Sequence, residues 1–275
     1  MPWTLSHPAA VLPLRRYTPT PLNMGALIIG SMTPDVGYYI DRFDLAIFSH
    51  TLLGSLTCCL PIGIIMLVLF YVFARPICYS LPSPHRQALL PICPSPTAGI
   101  KEWTILLLSL LIGAWTHNFW DAFTHEGGWF VLRIPWLQEP AFNIRSTTVY
   151  VFLVLQELST LVGFVIVAIA YWLWLRRQRI TPTSESDLWR YLFWPGVFLL
   201  SLVITFPSAI HYAKTAGHHD FRYVRSILFR EAIYAPLVIL PTSLAATSII
   251  YLRRFRSNSQ PLPPMPTSTK YESQV

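Results

Sequence analysis

Five stretches of this chain, 51–73, 103–120, 149–175, 188–210 and 232–252, are almost free of charge. Each approaches or exceeds the roughly 20 apolar residues that a helix needs to cross a bilayer. Inside lipid no water is available to the backbone, so such segments must close their own hydrogen bonds as helices. The expected fold is therefore all-α: a polytopic helical membrane protein with about five transmembrane helices. Composition agrees. Charged residues make up only 12% of the chain and hydrophobic ones 53%, against about a quarter charged in soluble domains.

Between the runs the sequence changes character. Residues 24–32 are apolar but too short to span, and Pro34 follows, so this piece reads as a buried or re-entrant segment. Residues 75–99 carry six prolines and read as a loop. The tail from 257 to 275 is proline-rich and reads as disordered. Residues 1–256 are then a single membrane domain, with no internal repeat. Residues 1–14 have neither a basic start nor a cleavage motif, so they do not read as a removed signal peptide.

The net charge of +7 does not point to nucleic acid. Arg176, Arg177 and Arg179 close the third run, and Arg253, Arg254 and Arg256 close the fifth. Basic clusters so placed set topology and contact lipid headgroups. With the C-terminus inside, the segments 1–50, 121–148 and 211–231 lie outside. The last fits poorly, since it holds Lys214, Arg222, Arg225 and Arg230. Cys58, Cys59, Cys78 and Cys93 form no CxxC pair, and neither a disulfide framework nor a thiolate metal site is expected.

Ionisable residues near membrane spans are costly, so those present are informative. His117, Asp121 and His125 follow one another at intervals of four residues. On a helix that set shares one face and extends about 12 Å along the axis. One ion does not comfortably reach both ends, whereas two ions bridged by Asp121 would. The other reading is an ordinary His117–Asp121 helix pair with His125 at the interface. Three further ligand-type residues, His7, Asp35 and His50, fall on the same inferred side. His and carboxylate donors suit zinc, manganese or iron. His218, His219 and Asp220 read as a solvated loop. Glu157, inside the third run, reads as a partner of the site or a structural hydrogen bonder.

The motifs Met1-Pro2-Trp3-Thr4-Leu5-Ser6-His7, Gly30-Ser31-Met32-Thr33-Pro34-Asp35, Ser49-His50-Thr51-Leu52-Leu53-Gly54 and Gly113 through His125 resemble a bacterial membrane family known only as domain of unknown function 4184. The resemblance runs from Met1 to about Gly163, the half that carries the candidate site. That family is distantly similar to membrane-bound metal-dependent hydrolases and to the helical zinc-dependent phospholipases C. By that likeness His117 and Asp121 match a His-x3-Asp helix whose Asp bridges two zinc ions. His7, Asp35, His50 and His125 match the surrounding ligands. Two positions depart: Trp3 is internal rather than N-terminal, and Leu153 stands where a His would precede Glu157.

The resemblance implies a two-zinc hydrolase in a bacterial cytoplasmic membrane, its site facing the exterior. It would act on a phosphoester of a lipid or lipid-linked substrate, with Asp35 doubling as general base. No nucleic-acid partner is expected. The competing expectation is a non-enzymatic protein, a transporter or a scaffold, that uses the same residues for ions, protons or helix joining.

Overall fold

The computed structural model describes residues 4–14, 22–93, 100–144, 147–180, 186–217 and 220–257. Trp3, His218, His219 and the tail from 258 lie outside them. The chain divides into two compact units, one of residues 1–70 and 95–177, the other of 71–94 and 178–275.

The first unit is built around one helix. Its elements are α1 (Pro8–Val11), α2 (Met24–Gly30), α3 (Phe43–Ser49), the first part of α4 (Leu52–Ser80), α5 (Ile100–Thr124), the strands β1 (Pro140–Ile144) and β2 (Thr147–Tyr150), and α6 (Val151–Arg176). Along α5 the residues Leu106, Leu110, Ala114, His117, Asp121 and Thr124 are all buried, spaced by three or four. That spacing keeps them on one inward stripe. Apolar residues fill its first half and the metal-type residues its last turns.

Small residues bring α2 against this stripe. A side chain at Gly30 would collide with the backbone of Leu110, and one at Gly113 with the backbone of Leu27. Absent side chains let two helix backbones approach closely, as in membrane helix pairs. Asn23 then caps α2 by accepting from the Ala26 amide at 2.9 Å, while its own amide donates to Ser109 Oγ on α5 at 3.0 Å. The 24–32 segment is thus the buried piece that its length implied: Ala26, Leu27, Ile29 and Gly30 are inside.

In the second unit α7 (Leu188–Thr215) pairs with α8 (Asp220–Ser257). Several of its inner polar groups pair with one another. Arg190, almost wholly buried, donates to Asp187 at 2.8 Å and to the Tyr79 carbonyl at 3.2 Å. Thr205 donates to Glu231 at 2.8 Å.

Among the described residues, four helices are long and apolar enough to cross a membrane: Leu52–Ser80, Val151–Arg176, Leu188–Thr215 and Ser226–Arg254. Their outward residues are large and apolar, among them Ile65, Leu161, Val203 and Leu228. The fifth expected span lies in α5, which at 25 residues is long enough. Thr116, His117, Asn118 and Asp121 dilute its apolar run, so it falls outside that set. Two further features depart from the sequence reading. Helix α4 continues through Pro76 to Ser80, and His85–Leu89 is helical, so 75–99 is not simply a loop. The expected loop 121–148 contains most of an antiparallel hairpin, β1 on β2.

Candidate metal centre

The last turns of α5 aim their side chains at the segments preceding α4. Asn118 fixes that approach, donating to the Ser49 carbonyl at 3.2 Å and to Ser55 Oγ at 3.0 Å. Between them sits His50, one residue after α3 ends. A π-turn over Ser55–Cys59 interrupts α4 just beyond it. Such bulges recur at functional sites, where they re-aim neighbouring residues.

Four side chains converge here. One ligand-type atom from each of Asp35, His50, His117 and Asp121 lies within 4.8 Å of all the others. Asp121 Oδ2 is 3.2 Å from both His50 Nε2 and His117 Nε2. Asp35 Oδ1 is 3.5 Å from His117 Nε2 and 4.0 Å from His50 Nε2. The two Nε2 atoms are themselves 3.3 Å apart.

The far sides of the rings fix which nitrogen faces inward. His117 Nδ1 meets the Ser31 carbonyl at 2.8 Å, and His50 Nδ1 meets the Ala46 carbonyl at 2.7 Å. A carbonyl only accepts, so each Nδ1 donates to it and each Nε2 is turned inward. Backbone carbonyls orient metal-binding imidazoles in this way. Asp35 is held similarly: Tyr39 donates to Thr4 Oγ1 at 2.9 Å, and Thr4 donates to Asp35 Oδ2 at 2.6 Å. Oδ1 is left facing the imidazoles.

The inward cluster is therefore two imidazole Nε2 atoms and two carboxylate oxygens. Acceptors so close repel unless a positive charge sits between them. One proton satisfies one contact at a time, while a divalent cation satisfies all four at once. The donor set and its burial fit such an ion: Asp35, His117 and Asp121 are each at most 3% exposed.

His7 and His125 flank this group. The His7 ring stacks on His117 with centroids 3.6 Å apart. Its Nε2 lies 3.7 Å from Asp121 Oδ1, and both atoms are buried without a hydrogen-bond partner. Burial, reinforced by His117 and opposed by Asp121 and Asp35, lowers the His7 pKa to about 3. His7 is thus neutral and able to ligate. His125 stands at the rim, its Nδ1 3.4 Å from Asp121 Oδ2 and its Nε2 3.5 Å from the Gln156 amide. All six expected residues thus meet around Asp121, four tightly and two beside them. Side-chain reach closes the axial gap along α5, since Asp121 Oδ2 lies within 3.4 Å of both His117 and His125.

Gln156, buried at 4%, turns toward the site, and Glu157 beside it is exposed. Thr4, Tyr39, Ser31 and Ala46 carry no metal-type signature and were not legible as participants. A cavity of about 670 Å³ borders the cluster, lined by Tyr38, His50, Asp121, His125, Trp129 and Arg133 among others. Burial, with the Asp35 and Asp121 carboxylates, pushes the Tyr38 phenol up to about 12, so it stays a donor. The Arg133 guanidinium lies 4.0 Å above the Trp129 ring.

No curated protein and no solved structure matches this chain. One family does, described as a domain of unknown function (DUF4184), over residues 1–251. The match passes the 163 boundary of the motifs and takes in the described helices of the second unit. With nearly its whole length covered, the chain belongs to the DUF4184 family.

Proposed function

We propose that this protein is a membrane-embedded, metal-dependent hydrolase acting on a phosphoester of a lipid or lipid-linked substrate. One observation carries the reading: ligand-type atoms of Asp35, His50, His117 and Asp121 all lie within 4.8 Å of one another, with both Nε2 atoms turned inward by backbone carbonyls. They would hold a first ion, and Asp121 with His7, whose Nε2 faces its Oδ1, would help hold a second. His125 completes the shell from the cavity side. Imidazole and carboxylate suit zinc.

When bound, paired divalent ions lower the pKa of a water and neutralise phosphoryl oxygens. The chain supplies the rest. Asp35 accepts the water's proton, while Thr4 and Tyr39 keep its carboxylate turned inward. Tyr38 and Arg133, lining the cavity, donate to the anionic phosphate. His50 precedes α4, Asp121 lies in the last turn of α5, and Gln156 follows the start of α6. Such a centre sits at helix ends, at the depth of lipid headgroups rather than at the midplane where transporters bind. The basic residues after α6 and at the end of α8 support a site on the exterior of a bacterial cytoplasmic membrane.

The test uses the full chain in detergent with bis(p-nitrophenyl) phosphate, metal-loaded and chelator-treated. Hydrolysis restored by zinc supports the reading. A fully metallated protein that turns over neither this ester nor a phospholipid would overturn it in favour of ion handling.

A further inference from the structure

A second cavity, of about 350 Å³, adjoins the centre at His7. One wall is α6, where Leu155, Leu158, Val162 and Ile166 are spaced by three and four residues and form a single stripe. The other wall is the small-residue turn Ala9–Ala10. At Gly163 the chains touch: an added Cβ would lie 2.8 Å from Ser6. Small residues there and at Ala9 and Ala10 leave the hollow beside the contact. From Leu155 to Ile166 the groove runs about 16 Å along the helix.

Two properties fix its occupant. Its surroundings suit lipid rather than water: α6 is one of the membrane-length helices, and Leu158, Val162 and Ile166 are 44–52% exposed on it. Water in so apolar a groove would find few partners. Its other end is His7, which stacks on His117 and faces Asp121 Oδ1. Asp121 also lines the cavity that carries His50, His125, Glu126 and Arg133. The centre therefore has one side bearing ionisable groups and another lined almost wholly by apolar side chains, which is the layout of an amphiphile.

We infer that the α6 groove holds an alkyl chain of the substrate, entering sideways from the bilayer while the phosphate sits at the metal centre. This rests on the hydrolase reading and narrows it to esters with a long hydrocarbon chain. Chain length is then read by Val162, Ile166 and Ala10.

The experiment has two arms on the full chain. In the first, Ala10→Trp and Val162→Trp fill the groove. Turnover of palmitoyl-chain phosphatidic acid in mixed micelles is compared with that of bis(p-nitrophenyl) phosphate. A fall of about tenfold or more in kcat/KM for the lipid alone, with metal content unchanged, is expected. Equal loss on both substrates, or loss on neither, overturns the groove. The second arm needs no turnover: phosphatidic acid bearing a diazirine on its chain is photolysed with wild-type protein in nanodiscs. Labelling concentrated on Leu158, Val162 and Ile166 supports the groove; equal labelling of Leu161, exposed on α6 but outside the groove lining, refutes it. Groove labelling without hydrolysis would sink the enzymatic reading and leave the lipid site standing.

Discussion

His50 Nε2 and His117 Nε2 face each other across 3.3 Å, each on a ring whose Nδ1 already donates to a backbone carbonyl. The Ala46 and Ser31 carbonyls set the two rings from behind, and Asp121 Oδ2 lies 3.2 Å from both Nε2 atoms.

Thr4 lies outside the ligand set yet holds Asp35 in place with a 2.6 Å hydrogen bond. Thr4→Val keeps the shape and removes the donor. Metal affinity should fall by about 10- to 100-fold, the usual effect of losing such a supporting bond. Competition against a chromogenic chelator measures it. An unchanged affinity would mean that Asp35 is not a ligand.

Asn118 joins α5 to the His50 segment through Ser49 and Ser55. Asn118→Leu leaves a buried carbonyl and hydroxyl without that donor and should cost about 1–3 kcal/mol. Thermal unfolding in detergent reads the loss. Metal affinity should drop with it, because His50 is no longer anchored.

Gly113 meets the α2 backbone directly, at the level where Ser31 receives His117. Gly113→Ala forces the helices apart and should destabilise the protein by about 1–3 kcal/mol. The same substitution at Gly127, where a Cβ meets nothing within 4 Å, should be close to neutral. Paired unfolding curves of the two variants check the contrast.

Much of the centre was legible because metal-type residues are conspicuous against an apolar background. The spacing of His117, Asp121 and His125 places them on one helical face whatever the tertiary fold. The short 24–32 run reads as buried from its length alone. Other features follow from tertiary contacts that spacing does not encode. Helix α6 is apolar all round, so no stripe distinguishes Gln156 from Glu157, and only packing shows which turns inward. The carbonyls of Ser31 and Ala46 are backbone groups, invisible in residue identity. Thr4 reaches Asp35 across 31 positions. Pro76 reads as a breaker, yet prolines persist in membrane helices where neighbouring groups satisfy the freed carbonyl.

The central claim is that Asp35, His50, His117 and Asp121 gather around a metal ion, with Asp121 bridging to a second. Elemental analysis of purified full-length protein, beside Asp121→Ala with folding checked by circular dichroism, tests it most directly. The account predicts about two divalent ions per wild-type chain, zinc foremost, and almost none in the folded variant. A wild-type protein that is folded, purifies without metal and takes up none on titration with zinc, manganese or iron would contradict it.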